Sequence, residues 1–129
     1  MNIQNFIKLI IFVLLMCAGQ ILFKKTAIAV SKKTQRLEIS DGFIAIILSI
    51  VSINYFYLAL IIYGIATFYW LYLLQTIPLT MAYPFTALAM VIIPVASYYF
   101  FDEQLNDIYW VGAILIFMGI IIISFSNKP

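Results

Sequence analysis

Two adjacent cations, Lys24 and Lys25, stand one turn beyond Gln20 at the end of a long apolar stretch. Paired cations at a membrane surface can hold a phosphate, and the same lysines would also serve as snorkelling anchors that fix topology. Gln20 is the one amide between Phe6 and Phe23. At membrane depth its carboxamide has to find a partner, on a neighbouring helix or on a ligand. Further along, Tyr63, Thr67 and Trp70 recur at i, i+4 and i+7 and so share one helix face. Rings on such a face either pack as core or line a groove in which they stack on the apolar face of a sugar. Tyr83 adjoins Pro84 and places a hydroxyl beside a helix irregularity, where freed carbonyls can also take a ligand. Substrate contact is therefore expected at Gln20, Lys24, Lys25, Tyr63, Trp70 and Tyr83.

Other chemistries find no support. The chain has no His, and its lone cysteine, Cys17, lies in an apolar stretch. The five acids are confined to Glu38 with Asp41, and to Asp102 with Glu103 and Asp107. The second group reads as a solvated loop that caps the helix after it. No spacing matches a nucleophile with its base, a metal cluster or a nucleotide loop, so neither enzyme activity nor a cofactor or metal is expected. A net charge of +2 from seven scattered bases is too weak for nucleic acid.

From Gly42 to Phe101 there is no Asp, Glu, Lys or Arg at all. A charged side chain costs about 2.5–3.5 kcal/mol at the centre of a membrane helix, so a stretch this long without one belongs in lipid. At 129 residues and a mean hydropathy of +1.13, the chain has room for about four spans of about 20 residues. The expected fold is an all-α integral membrane protein with four transmembrane helices, near 5–23, 55–75, 79–101 and 108–125, in a single domain 1–129. The hydrophilic segment SKKTQRLEISD, Ser31–Asp41, reads as the main loop. The run from Gly42 to Gln75 would be about 50 Å long as helix, against a hydrocarbon core of about 30 Å. Ser49, Ser52 and Asn54 interrupt it, which predicts an interfacial helix over 42–53, with one long tilted helix as the alternative. Pro78 suits the first turn of a new helix, and Pro84 and Pro94 should bend the third span. Gly112 and Gly119, seven apart, form a small face that serves either tight packing within the chain or a dimer seam. Four helices enclose little space, so a second subunit is expected.

Lys8 and the apolar run after it have the look of a signal peptide, but no small-x-small site follows, and the segment reads as the first span. Lys24, Lys25, Lys32, Lys33 and Arg36 fall on one side with the Asp102–Asp107 loop, and Lys8 and Lys128 on the other. Positive-inside then places both long loops in the cytoplasm and both termini outside.

Three segments carry a family likeness. CAGQILFKKTA is similar to the A-G-Q-x-x-x-K pattern of the small subunits of the aminoarabinose-lipid flippase, and YGIATFYWLYLLQTIPLTMAYPF to their W-x-x-x-L-Q-x-x-P-x-x-x-A-Y-P segment. The chain thus resembles the small four-helix members of the drug/metabolite transporter superfamily, which includes EamA-like and small multidrug resistance-like folds. Gly112 and Gly119 resemble the dimerisation motif of the multidrug branch. Three features of that branch are missing: its essential glutamate falls at Met16, an aromatic at Thr86 and a glycine kink at Leu88–Met90.

The resemblance implies a bacterial inner-membrane flippase subunit for a polyprenyl-phosphate-linked sugar or related lipid-linked headgroup. Its partner would be a second copy or a similar small subunit. Direction would come from synthesis on one face and consumption on the other. The alternatives are a small exporter of cationic or amphipathic solutes and a non-transporting membrane scaffold.

Overall fold

The computed structural model describes residues 2–37 and 42–125, and every regular element among them is an α-helix. The first, α1 (Ile3–Leu37), is uninterrupted and about 52 Å long, far more than a bilayer core requires. This corrects the expected loop, because Ser31–Leu37 continues the helix. SKKTQRL contains neither Gly nor Pro, its Lys, Arg, Gln and Leu are good helix formers, and basic residues suit a helix C-terminus. Packing completes the reason: Thr26 and Val30 are buried, and the Lys33 ammonium donates to the Ser52 hydroxyl at 2.7 Å. Glu38, Asp41 and the tail from Ser126, with Lys128, lie outside the described residues.

The chain then returns along α1. Helix α2 (Phe43–Val51) ends at Ser52, whose hydroxyl donates to the Ser49 carbonyl at 2.7 Å, and Ile53 is extended before α3 (Asn54–Leu74) begins. The run from Gly42 to Gln75 thus forms two helices with a break between them, as the first reading expects, and not the one long tilted helix of the alternative. Helix α3 runs antiparallel to α1, as three successive contacts show: Phe56 on Phe23, Tyr63 on Gly19, and Trp70 on Phe12.

Pro78 sits just before α4 (Leu79–Thr86) as its N-cap, where its carbonyl accepts from the Met81 and Ala82 amides at 2.9 and 3.0 Å. Helix α5 (Ala89–Phe101) follows after a break at Ala87–Leu88. Across that break the amides of Ala87, Leu88, Met90 and Val91 all bond three residues back, a tightened turn lying between Pro84 and Pro94. The helix therefore yields where the multidrug branch keeps its glycines, although this chain has none there. Helix α5 passes Pro94 without interruption. The last helix, α6 (Asp107–Phe125), packs on α4.

The core lies toward the start of α1, where Leu9, Val13 and Cys17 meet Leu73, Met81, Ala82 and Phe85. Outside it, large apolar side chains such as Ile61, Phe68, Tyr99 and Ile122 are exposed. Such a surface is stable only against lipid. By length and composition, Ile3–Gln35, Asn54–Leu74 and Leu79–Phe101 are each able to cross a membrane, and Asp107–Ile123 is a shorter apolar helix. The protein is a multi-pass membrane protein.

Candidate functional site

Gly19 begins the site. A Cβ at this position would overlap the Tyr63 ring, so only glycine lets Tyr63 lie directly on the α1 backbone. Seated there, the Tyr63 hydroxyl accepts a hydrogen bond from the Gln20 side-chain amide. Thr67, on the same α3 face, donates to the Tyr63 carbonyl at 2.8 Å. Tyr63 therefore orients Gln20 and does not itself line the cavity beside it.

That cavity has a volume of about 810 Å³, is open on one side, and takes its walls from α1, α3, α4, α5 and α6. Gln20 and Met16 line it from α1, Trp70 from α3 and Tyr83 from α4. Trp70 stacks on Phe12 with ring centroids 4.5 Å apart and planes inclined by 26°, which makes a flat aromatic wall. Tyr83 is two-thirds exposed at the rim, at 66%.

The far wall depends on Pro94. Having no N–H, Pro94 leaves the Met90 carbonyl, four residues earlier, without its helical donor. The Tyr109 hydroxyl of α6 fills that vacancy, and Met90, Pro94 and Tyr109 all face the cavity. A proline that would weaken α5 is thereby converted into a tie between α5 and α6. Gly112 also lines the cavity, whereas Gly119 does not, and neither glycine has an atom within 4 Å of where a Cβ would stand.

A smaller pocket of about 400 Å³ adjoins the first, sharing Gln20 and Ile93 with it. It contains Lys24, Ser97 and Glu103. The Lys24 ammonium pairs with a Glu103 carboxylate oxygen at 2.6 Å, with the two side chains 47% and 43% exposed. At that exposure the pair contributes no more than about 1 kcal/mol. Lys25 diverges from its neighbour: its ammonium lies 5.7 Å from the centroid of the Phe100 ring on α5. The two lysines are adjacent in sequence but do not form one site.

The structure thus brings Gln20, Trp70, Tyr83 and Gly112 around one cavity, joins Lys24 to it through Gln20, and leaves Lys25 and Gly119 apart. Sequence reasoning missed Phe12, Tyr109 and Glu103. Pro94 signals a freed carbonyl at Met90, but nothing in the sequence says that Tyr109 would reach it. In the sequence Glu103 reads as part of a solvated loop that caps the next helix.

A five-walled, mainly apolar cavity within a helical membrane protein is a place where an amphiphilic molecule can be held. The chain belongs to the EamA-like transporter family, whose model matches residues 4–125. Among curated proteins it is similar to the probable 4-amino-4-deoxy-L-arabinose-phosphoundecaprenol flippase subunit ArnE of Aeromonas salmonicida, with 30% identity over 94% of this chain and 97% of the relative. The same-named subunit of Serratia proteamaculans is 27% identical over 96% of this chain and 98% of its own. That of Salmonella paratyphi B is 42% identical over 52% and 60%. No solved structure gives a significant match.

Proposed function

We propose that this chain is one subunit of a flippase that carries a polyprenyl-phosphate-linked sugar across the bacterial inner membrane for modification of envelope glycans. One observation carries the reading: an open apolar cavity with an aromatic wall is joined, at Gln20, to a pocket holding the Lys24 cation. An amphiphile with a phosphate between sugar and tail needs both. The sugar would pass the Phe12–Trp70 stack and Tyr83, with Gln20 bonding its hydroxyls, while the tail stays in the bilayer through the open side. The names of the similar proteins point to an amino sugar, 4-amino-4-deoxy-L-arabinose, as the cargo.

Met16 occupies the cavity wall where the multidrug branch has its glutamate, and among the described residues no carboxylate lines the larger cavity. Proton-coupled export of cations would lack its coupling carboxylate there, so net direction comes from supply and consumption on opposite faces. The open space beside Gly112 and Gly119 suits a seam with a second copy or a similar small subunit, and α6 then completes a fourth span.

Native mass spectrometry of the protein released gently from its own membrane tests both claims in one spectrum. A dimer retaining a mass equal to a polyprenyl-phosphate sugar is the expected result. A monomer free of such lipid in every detergent would overturn the reading.

A further inference from the structure

We propose that Glu103 is a built-in competitor for the anion site at Lys24, displaced when the phosphate of a lipid headgroup arrives. The inference rests on the flippase reading and concerns what the same pocket does when it is empty. Lys24 and Glu103 pair at 2.6 Å and both line the pocket that meets the larger cavity at Gln20 and Ile93. Nearly half of each side chain is exposed, so the pair is open to exchange.

Backbone geometry holds the carboxylate in place. Helix α5 ends at Asp102, which adopts a left-handed conformation at φ 54°, one that Asp tolerates better than most residues. The turn brings the Glu103 amide back toward the Ser97 carbonyl, at 3.4 Å, and sends its side chain across to α1. Lys25 makes no contribution, because it is engaged over Phe100. A single cation is therefore shared between the protein's own carboxylate and any incoming anion.

Left alone, the half-exposed Lys24 ammonium stays solvated and free to take any anion, and Glu103 occupies it instead. A phosphate between sugar and tail carries one full charge, as Glu103 does, but arrives with a sugar and a tail that the larger cavity and the bilayer also hold, so it can replace Glu103, whereas a neutral lipid cannot. Glu103 thereby sets a threshold: it weakens binding of the right ligand modestly and keeps the cation from holding weaker anions.

The test uses the full chain in nanodiscs, with a short polyprenyl monophosphate as probe and the matching polyprenol as neutral control. Glu103→Gln should tighten binding of the monophosphate about two- to fivefold, and Glu103→Asp, which retains the charge on a shorter arm, should tighten it less. Lys24→Gln should weaken binding at least tenfold, and the double variant should match Lys24→Gln alone, since the carboxylate acts only through the lysine. Unchanged or weaker binding in both Glu103 variants, with oligomer size and helix content intact, would overturn the proposal and leave the flippase reading standing. If inorganic phosphate competes as well as the lipid and shows the same Glu103 effect, the competitor role holds and the lipid reading fails. If neither anion binds better than the neutral control, both fall.

Discussion

The two pockets that meet at Gln20 are built on opposite principles. The larger is made of shape: a stacked Phe12–Trp70 wall, a break at Ala87–Leu88, and a tie from Tyr109 to the carbonyl freed by Pro94. The smaller has mainly apolar walls and is distinguished by the one ion pair among its lining residues, Lys24 with Glu103. Shape distributed over five helices tolerates the loss of any one contact. A site built on one cation does not, so transport should be most fragile at Lys24.

Lys24→Gln should have the largest effect. Hydrogen bonds to a charged partner are worth about 1.5–3 kcal/mol, which corresponds to roughly a 10- to 150-fold loss in transport of a phosphate lipid in proteoliposomes. Normal transport by correctly inserted Lys24→Gln protein would remove the charged pocket from the mechanism and leave shape alone.

Gly19→Val comes next. The new side chain must push Tyr63 off α1 and release Gln20 at the junction of the two pockets, so transport should fall about tenfold while the protein still inserts. Restoration of activity by an added Tyr63→Ala would show that the lesion is steric; no restoration would show that the Tyr63–Gln20 bond itself is needed.

Tyr109→Phe probes the shape-built cavity instead. It orphans the Met90 carbonyl at the cavity wall and should cost about 1–3 kcal/mol of stability, read as a lowered midpoint in a denaturant titration in mixed micelles. Because the wall is distributed, transport at moderate temperature should fall less than with Lys24→Gln. A larger loss of transport than of stability would mean that Tyr109 touches substrate.

Lys25→Gln should do least, changing transport less than twofold, since a cation over an exposed ring contributes about 0.5–1 kcal/mol and faces neither pocket. Effects equal to those of Lys24→Gln would restore the paired-cation site that the adjacency of the two lysines suggests.

Helices and their apolar exterior were legible because composition alone decides whether a segment can live in lipid; of the two prolines expected to bend the third span, Pro84 stands shortly before the break at Ala87–Leu88, whereas α5 passes Pro94 without interruption. The extension of α1 through Ser31–Leu37 was not legible. Its polarity resembles a loop, and what keeps it helical includes a contact to Ser52 on another element. Within the site, Gln20, Trp70 and Tyr83 could be chosen as polar or amphipathic groups at membrane depth. Phe12 could not, because a phenylalanine in an apolar helix looks like every other core residue until Trp70 is laid on it.

Composition and spacing are enough to show a helical membrane protein whose charges stand outside the long apolar run, with Gln20 and Lys24 a turn apart on one helix. These follow from the cost of burying charge and from the helical repeat, which are local. Only the tertiary structure decided that Lys24 meets Glu103 while Lys25 turns to Phe100, and that Pro94 and Tyr109 complete each other. These are contacts between elements far apart in sequence, and a partner chosen by the packing of helices leaves no trace in the spacing of residues along either one.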